Sequence, residues 1–340
     1  MDTEHSHAST PSLLRLTAYP RLHLALIDCA GASSRVFGGI GVSIASPPTV
    51  ITVAQSDSFA FSHAGRLEDR TVLEVEELYQ RFTATFEVSP VSISLTQAPL
   101  EHRGFGSKTA LLLGVAFLIA QTSGLQLSES DLVALTRRGG TSGIGVHTFF
   151  RGGWIADAGH TRKSEDALKP SSFRVPERRA PLIFNSPVSE SWRFHLLMPD
   201  GLVRSAQDEA LAFAQNTPTS EEDALQTLKL VYHGLLPAIV EDDLESFGAA
   251  LTELQSVGFK QREIQTQTSV VRRLLNDLAQ RGFAAGMSSM GPLVFAVAHA
   301  DDQIELELAN IGRDLGCNYL GSVEGRNDGA IVEEEVAMDG

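Results

Sequence analysis

The sequence predicts an α+β fold in two domains, and three observations carry that expectation. The chain has 340 residues, more than the roughly 100–200 that one domain usually holds. Strand-like alternation and helix-like spacing are mixed along its length. Residues 160–181 combine charge, Ser and Pro without sustained periodicity, which marks a loop and a division near residue 180. The expected units are 13–180 and 181–325, flanked by a disordered tail over 1–12 and an acidic tail over 326–340. A hydrophobic fraction of 43% with 20% charged residues is ordinary globular usage and argues against a disordered or fibrous chain.

Residues 13–29 alternate like a strand interrupted at Pro20, and the glycines of Arg35-Val-Phe-Gly-Gly-Ile-Gly41 predict a turn before another apolar run. Over 71–87, Val72, Val75, Leu78, Tyr79, Phe82 and Phe86 recur at helical spacing, and 91–95 alternates like a strand. Residues 107–122 are apolar nearly all round, which predicts a helix buried between layers. Residues 128–138 read as a short helix capped by Ser128 and ended by Gly139 and Gly140, and 146–156 as a strand or hairpin arm. In the second half, strands at 194–198 and 293–298 stand among helices around 205–257 and 266–281 and a final helix.

A net charge of −15 repels polyanions and argues against general nucleic-acid binding, while leaving room for a local basic patch that takes a small anion. Cys29 and Cys317 are the two cysteines, too few for a disulfide framework and without metal-site spacing, so both are expected as reduced thiols in a cytoplasmic protein. The polar N-terminal stretch lacks the pattern of an export signal. The apolar run 110–120 is short of the roughly 20 residues that span a bilayer, so no membrane partner is expected.

Three glycine-rich turns concentrate the residues able to do chemistry. Glu101-His-Arg-Gly-Phe-Gly-Ser-Lys108 precedes the buried helix, where small residues let backbone N–H groups approach a ligand and the helix start favours an anion. It matches neither the P-loop nor the dinucleotide fingerprint. Glycines that merely end a strand would explain it equally well, but Arg103 and Lys108 at its flanks favour an anion held by Gly104, Gly106, Ser107 and Lys108. Arg137-Arg-Gly-Gly-Thr-Ser-Gly-Ile-Gly-Val-His147 is the second. Guanidinium forks suit carboxylate or phosphate, and helix capping alone would need one basic residue and one glycine. Arg137, Arg138 and His147 are therefore the catalytic candidates, with Gly140, Thr141, Ser142 and Gly143 as binding candidates. Gly286-Met-Ser-Ser-Met-Gly-Pro292 is the third, with Ser288 and Ser289 as possible donors. No histidine belongs to a recognisable metal-ligand run, and an isolated one is more often structural.

In this order the three turns resemble the signature segments of the GHMP superfamily of small-molecule kinases over residues 13–325. More closely, Pro20-Arg-Leu-His-Leu, Phe37-Gly-Gly-Ile-Gly-Val, His102-Arg-Gly-Phe-Gly-Ser-Lys-Thr, Arg138-Gly-Gly-Thr-Ser-Gly-Ile-Gly-Val-His and Ser288-Ser-Met-Gly-Pro look like the β-ribofuranosylaminobenzene 5′-phosphate synthase family. The resemblance implies a GHMP-kinase-like fold with a ribosomal-protein-S5-like N-terminal and a ferredoxin-like C-terminal α/β domain. It also implies a homodimer, Mg²⁺, and a reaction of phosphoribosyl pyrophosphate with 4-aminobenzoate or a 4-hydroxybenzoate-like acid, releasing CO2 and pyrophosphate in methanopterin biosynthesis. Arg21, His23, Arg35, Gly38 and Gly39 join the expected binding residues on the matched segments; the metal ligands are not indicated. Two departures stand out. The chain reads Ser142-Gly-Ile-Gly145 where many kinase relatives carry a catalytic Asp, and Met290 stands where an aromatic residue is expected. A kinase or a noncatalytic metabolite sensor on the same fold are the competing readings, disfavoured respectively by Gly145 and by the intact, arginine-rich turns.

Overall fold

The computed structural model describes residues 12–65, 67–162, 168–170, 173–199 and 206–336. The first half contains β1 (Ser12–Ala18), β2 (Arg21–Asp28), β3 (Arg35–Ser43), β4 (Thr49–Gln55), β5 (Ala60–Ser62), α1 (Asp69–Thr85), β6 (Val91–Gln97), α2 (Ser107–Thr122), α3 (Glu129–Thr136), α4 (Ile144–Arg151), β7 (Trp154–Asp157), β8 (His160–Thr161) and β9 (Leu182–Ser186). It is followed by β10 (Trp192–Pro199), α5 (Ala206–Asn216), α6 (Glu221–Leu230), a π-helical turn (Val231–Leu235) running into α7 (Leu236–Glu241), α8 (Leu244–Leu254), α9 (Gly258–Gln265), α10 (Ser269–Gln280), β11 (Ala284–Met287), β12 (Val294–His299), α11 (Glu305–Asp314), β13 (Cys317–Val323) and β14 (Ile331–Val336).

The strands form three sheets: β14-β1-β4-β6-β5, β2-β3-β7-β9 with β8 on β3, and β11-β12-β10-β13. α2 is buried on nearly every side, as its all-round apolar sequence requires. It packs between the first sheet and α1, where Val75, Leu78 and Phe82 face it from one helical stripe. A second core brings residues from both sides of position 180 together: Leu24, Ile40 and Trp154 meet Trp192, Phe194, Phe247 and Phe295. A third covers the other face of the last sheet with Leu274, Leu278 and Leu308 from α10 and α11. No helix among the described residues is long and apolar enough to cross a membrane. Cys29 and Cys317 are buried free thiols.

Three expectations are corrected. The glycine-rich stretch 35–41 is strand β3, not a turn. Its glycines serve close packing: a Cβ on Gly41 would lie 2.5 Å from the Ile144 side chain, and one on Gly39 3.2 Å from the His23 ring. Residues 146–156 are not one strand. Ile144, Val146, His147, Thr148 and Phe149 are buried along helix α4, which stops where Gly152 and Gly153 take φ of +67° and +71° before β7 begins. The expected acidic tail from 326 contains β14, which pairs antiparallel with β1 and sets Glu333 opposite Arg15, an arrangement that favours opposite charges across a ladder. The tail expected over 1–12 lies outside the described residues apart from Ser12, which opens β1.

Candidate active site

Three distant segments are stapled together at the start of β2. Arg21 donates its backbone N–H to the Phe105 carbonyl at 3.0 Å and its guanidinium to the Gly104 carbonyl at 2.6 Å. The Ser288 hydroxyl donates to the same Gly104 carbonyl at 2.7 Å and accepts the His23 backbone N–H at 3.0 Å. Ser289 N–H reaches the His23 carbonyl and Leu293 N–H the Arg103 carbonyl. This closeness needs glycine at two places. A Cβ on Gly291 would fall 2.4 Å from the Gly104 nitrogen, and Gly104 itself has φ of +105° with the Ser288 carbonyl 2.8 Å from where its Cβ would be.

The staples open a cleft between these turns, α4 and α5, with about 1110 Å³ of empty space including the part open to solvent. One end is built for an anion. Gly106 caps α2 in the left-handed conformation and no side chain caps the helix, so the Ser107 and Lys108 amides at its start are available to a ligand and the helix dipole favours negative charge. Arg21, Lys108 and Arg138 line this end. Arg21 is held down to about 10 by burial, with Glu209 and Glu263 opposing that shift, and it stays charged at neutral pH. Arg138 is likewise lowered by burial and donates Nε to the Thr109 hydroxyl at 3.2 Å. Lys108 is held by Glu74 of α1 at 3.2 Å. The other end is apolar: Leu26, Phe213 and Met290 line the cleft and belong to one buried cluster with Phe37 and Phe259.

His23 stands between the two ends, Nε2 3.0 Å from the Ser142 hydroxyl. Burial, then the charges of Arg21 and Lys260, push its pKa well below 6.5, so the ring is neutral. Asp157 is fully buried and holds the second glycine-rich turn, accepting Gly143 N–H at 3.1 Å and Gly159 N–H at 2.8 Å. Burial drives its pKa up to about 7 against the opposing effect of those two bonds and of Arg35.

Of the residues expected from sequence, Arg21, His23, Gly104, Gly106, Ser107, Lys108, Arg138, Thr141, Ser142 and Ser289 line the cleft together. Ser288 lies beneath it as a staple. Arg137 does not line it: as the left-handed C-cap of α3, with φ of +55°, it is exposed while its neighbour Arg138 turns inward. His147 points instead at the Ala180 carbonyl, 2.8 Å from Nε2, and burial brings its pKa down to about 4. Arg35 spends its guanidinium on the Ala158 and Gly159 carbonyls, both at 2.7 Å. Gly38 packs on the Asp157 carbonyl, Gly39 under His23, Gly140 on the Arg174 backbone and Gly143 on Asp157. Arg103 contributes its carbonyl to the staple, and its side chain is not part of the cleft wall.

The sequence reading missed Leu26, Glu209, Phe213 and Glu263 on the wall. Glu209 and Phe213 are four apart on α5, a spacing that reads as an ordinary helix face. Lys260 and Glu263, one turn apart on α9, read as a solvated pair, yet their side chains are 0% and 2% exposed and 2.5 Å apart.

The chain is 32% identical over 320 residues to the β-ribofuranosylphenol 5′-phosphate synthase of Methanothermobacter thermautotrophicus, covering 92% of this chain and 96% of that one. It is 32% identical over 324 residues to the protein of the same name from Archaeoglobus fulgidus, covering 94% and 100%. Among solved structures, homoserine kinase from Cytophaga hutchinsonii aligns with 98% of this chain and 100% of its own at a TM-score of 0.69 and 14% identity. That likeness concerns the fold, which is the α+β arrangement of GHMP kinases expected from the sequence. No family model matches the chain.

Proposed function

The chain belongs to the β-ribofuranosylphenol 5′-phosphate synthase family, and from that premise we propose that it condenses phosphoribosyl pyrophosphate with a benzoate bearing a para electron donor, releasing pyrophosphate and CO2 towards a methanopterin-type cofactor. The relatives are named for a phenol, whereas the resemblance read from sequence was to an aminobenzene enzyme. Hydroxyl and amino groups both feed electrons to the carbon opposite them, so one chemistry serves 4-hydroxybenzoate and 4-aminobenzoate. The observation that carries the reading is a single cleft with an uncapped helix start, two half-buried arginines and an apolar wall.

In this reading the α2 amides, Lys108 and Arg138 bind the pyrophosphate and take up the charge that develops as it leaves. The bond from pyrophosphate to the anomeric carbon breaks with its electron pair on the leaving oxygen. The ring carbon that bears the carboxylate gives its pair to the anomeric carbon, and the pair of the ring–carboxylate bond returns to the ring as CO2 departs. Arg21 orients the carboxylate, and must not hold it so tightly that its loss is opposed. Neutral His23 with Ser142 faces the sugar between the two ends. Leu26, Phe213 and Met290 exclude water from the ring.

Magnesium fits this cleft as a metal carried by the pyrophosphate. No group of three His, Cys, Asp or Glu side chains able to hold a metal is found among the described residues. A phosphate-bound magnesium needs only one or two protein carboxylates, and Glu209 on the wall would supply one. When bound, the ion would neutralise charge on the leaving group. Kinase chemistry is disfavoured because Gly145, on the cleft wall beside Thr109, brings no carboxylate. The proposal includes a cytoplasmic enzyme with reduced cysteines and a homodimer, for which the exposed Leu225, Leu228 and Tyr232 of α6 and the π-helical turn offer an apolar face.

The test incubates purified protein with Mg²⁺, phosphoribosyl pyrophosphate and carboxyl-labelled 4-aminobenzoate or 4-hydroxybenzoate. Labelled CO2 that requires both substrates supports the reading. Absence of CO2 with both acids refutes it.

A further inference from the structure

Lys260 and Glu263 form an ion pair shut away from water. Taking two charges out of water costs more than apolar side chains of the same volume would, so stability alone does not account for it. Lys260 is fully engaged: besides Glu263, its Nζ reaches the Met287 carbonyl at 3.2 Å and the Ser289 carbonyl at 3.5 Å. Glu263 is not. Its carboxylate lines the cleft, and among the described residues no N–H or O–H group other than that of Lys260 is seen to reach it. An ionised carboxylate has about four acceptor positions, so acceptor capacity is left facing the cleft.

The position of this carboxylate along the cleft identifies what it meets. Strand β2 runs the length of the site, with Arg21 at the anion end, His23 in the middle and Leu26 at the apolar end, roughly 16 Å from first to last at about 3.3 Å per residue. Helix α9 lies along the 287–290 turn, with Lys260 on the Met287 and Ser289 carbonyls, Phe259 in the Leu26, Phe213 and Met290 cluster, and Gln267, just past the helix end, on the Met290 carbonyl at 2.5 Å. Glu263, between Lys260 and Gln267, is thereby carried beside Met290 on the cleft wall. In the proposed reaction the ring must present the carboxylate-bearing carbon to the sugar, which is held from the anion end. The para substituent then points the opposite way, into the apolar end.

We propose that Glu263 accepts a hydrogen bond from the para amino or hydroxyl group of the aromatic acid, with Lys260 as the positioning residue that holds its carboxylate and ties α9 to the 287–289 turn. The inference rests on the function proposed above. A carboxylate accepting from that N–H or O–H increases electron release into the ring, most of all as the opposite carbon attacks, so the bond strengthens in the transition state. It also selects the substrate: a benzoate without a para donor leaves Glu263 unsatisfied in a dry site.

The experiment measures binding and CO2 release for 4-aminobenzoate, 4-hydroxybenzoate, 4-methoxybenzoate and benzoate, with Mg²⁺ and phosphoribosyl pyrophosphate present. Wild type should bind the two donors about 10-fold or more tighter than the other two, the scale of one hydrogen bond to a charged group. In Glu263→Gln, and in a double variant Lys260→Met with Glu263→Met that leaves no unpaired charge, the preference should fall below about 3-fold. KM for the aromatic acid should rise by a larger factor than KM for phosphoribosyl pyrophosphate. If wild type binds 4-methoxybenzoate or benzoate as well as the donors, or if either variant keeps the full preference, the assignment of Glu263 is wrong. The wild-type series can refute the assignment even if both variants fail to fold. Failure of the underlying function looks different: wild type releases no CO2 from either donor acid.

Discussion

Asp157 makes stability depend on pH in the direction opposite to most carboxylates. Its pKa is about 7 in the folded chain against an ordinary 3.8, the first cause being burial. A gap of about 3 units corresponds to about 4 kcal/mol of differential interaction between the two protonation states. Because the folded value is raised, folding takes up a proton: the contribution is complete below about pH 4 and is lost as pH rises through 7. Asp157→Asn is the perturbation. The amide stays neutral at every pH, and it can accept from only one of the Gly143 and Gly159 N–H groups, so the variant is weaker at pH 4. The difference in stability should then shift by up to about 4 kcal/mol in the variant's favour between pH 4 and pH 8, enough to reverse its sign. Urea unfolding of both proteins at intervals across that range measures it, and the carboxyl ¹³C shift of Asp157 gives its midpoint directly. A gap that does not change with pH, or a midpoint near 4, would refute the reasoning.

Other outcomes follow from the same geometry. Arg138→Ala should lower kcat/KM for phosphoribosyl pyrophosphate about 10- to 100-fold, the worth of a charge-assisted bond, with Arg138→Lys recovering part of it; steady-state kinetics that stay within twofold would move the anion end elsewhere. Ser288→Ala removes bonds of 2.7 and 3.0 Å to two other segments and should cost about 1–3 kcal/mol while raising KM for the same substrate, measured by denaturation and kinetics together. Ending the chain at residue 330 deletes β14 and its ladder with β1; a loss on the order of 3 kcal/mol is expected, and an unchanged urea midpoint would mean that the strand is dispensable.

The sequence by itself determined those features whose cause is local. α2 is apolar on every side and is buried; α1 carries Val75, Leu78 and Phe82 on one stripe and lays that stripe on the core; Gly104 and Gly106 announce a backbone conformation that few other residues adopt. The ordered set of turns also carried the family resemblance. Only the tertiary structure decided between Arg137 and Arg138, because the left-handed cap at Arg137 sends adjacent, chemically identical side chains in different directions. It alone showed that the glycines of 38–41 lie in a strand pressed by α4, and that the acidic C-terminal stretch adds a strand to a sheet by pairing with β1, more than 310 positions earlier in the chain. The same holds for Lys260 and Glu263, whose spacing is that of any surface ion pair and whose meaning comes from burial. Periodicity reports on neighbours within one element, but a site is made where segments such as Gly104 and Ser288, 184 positions apart, are forced together, and no local pattern encodes the packing that does so.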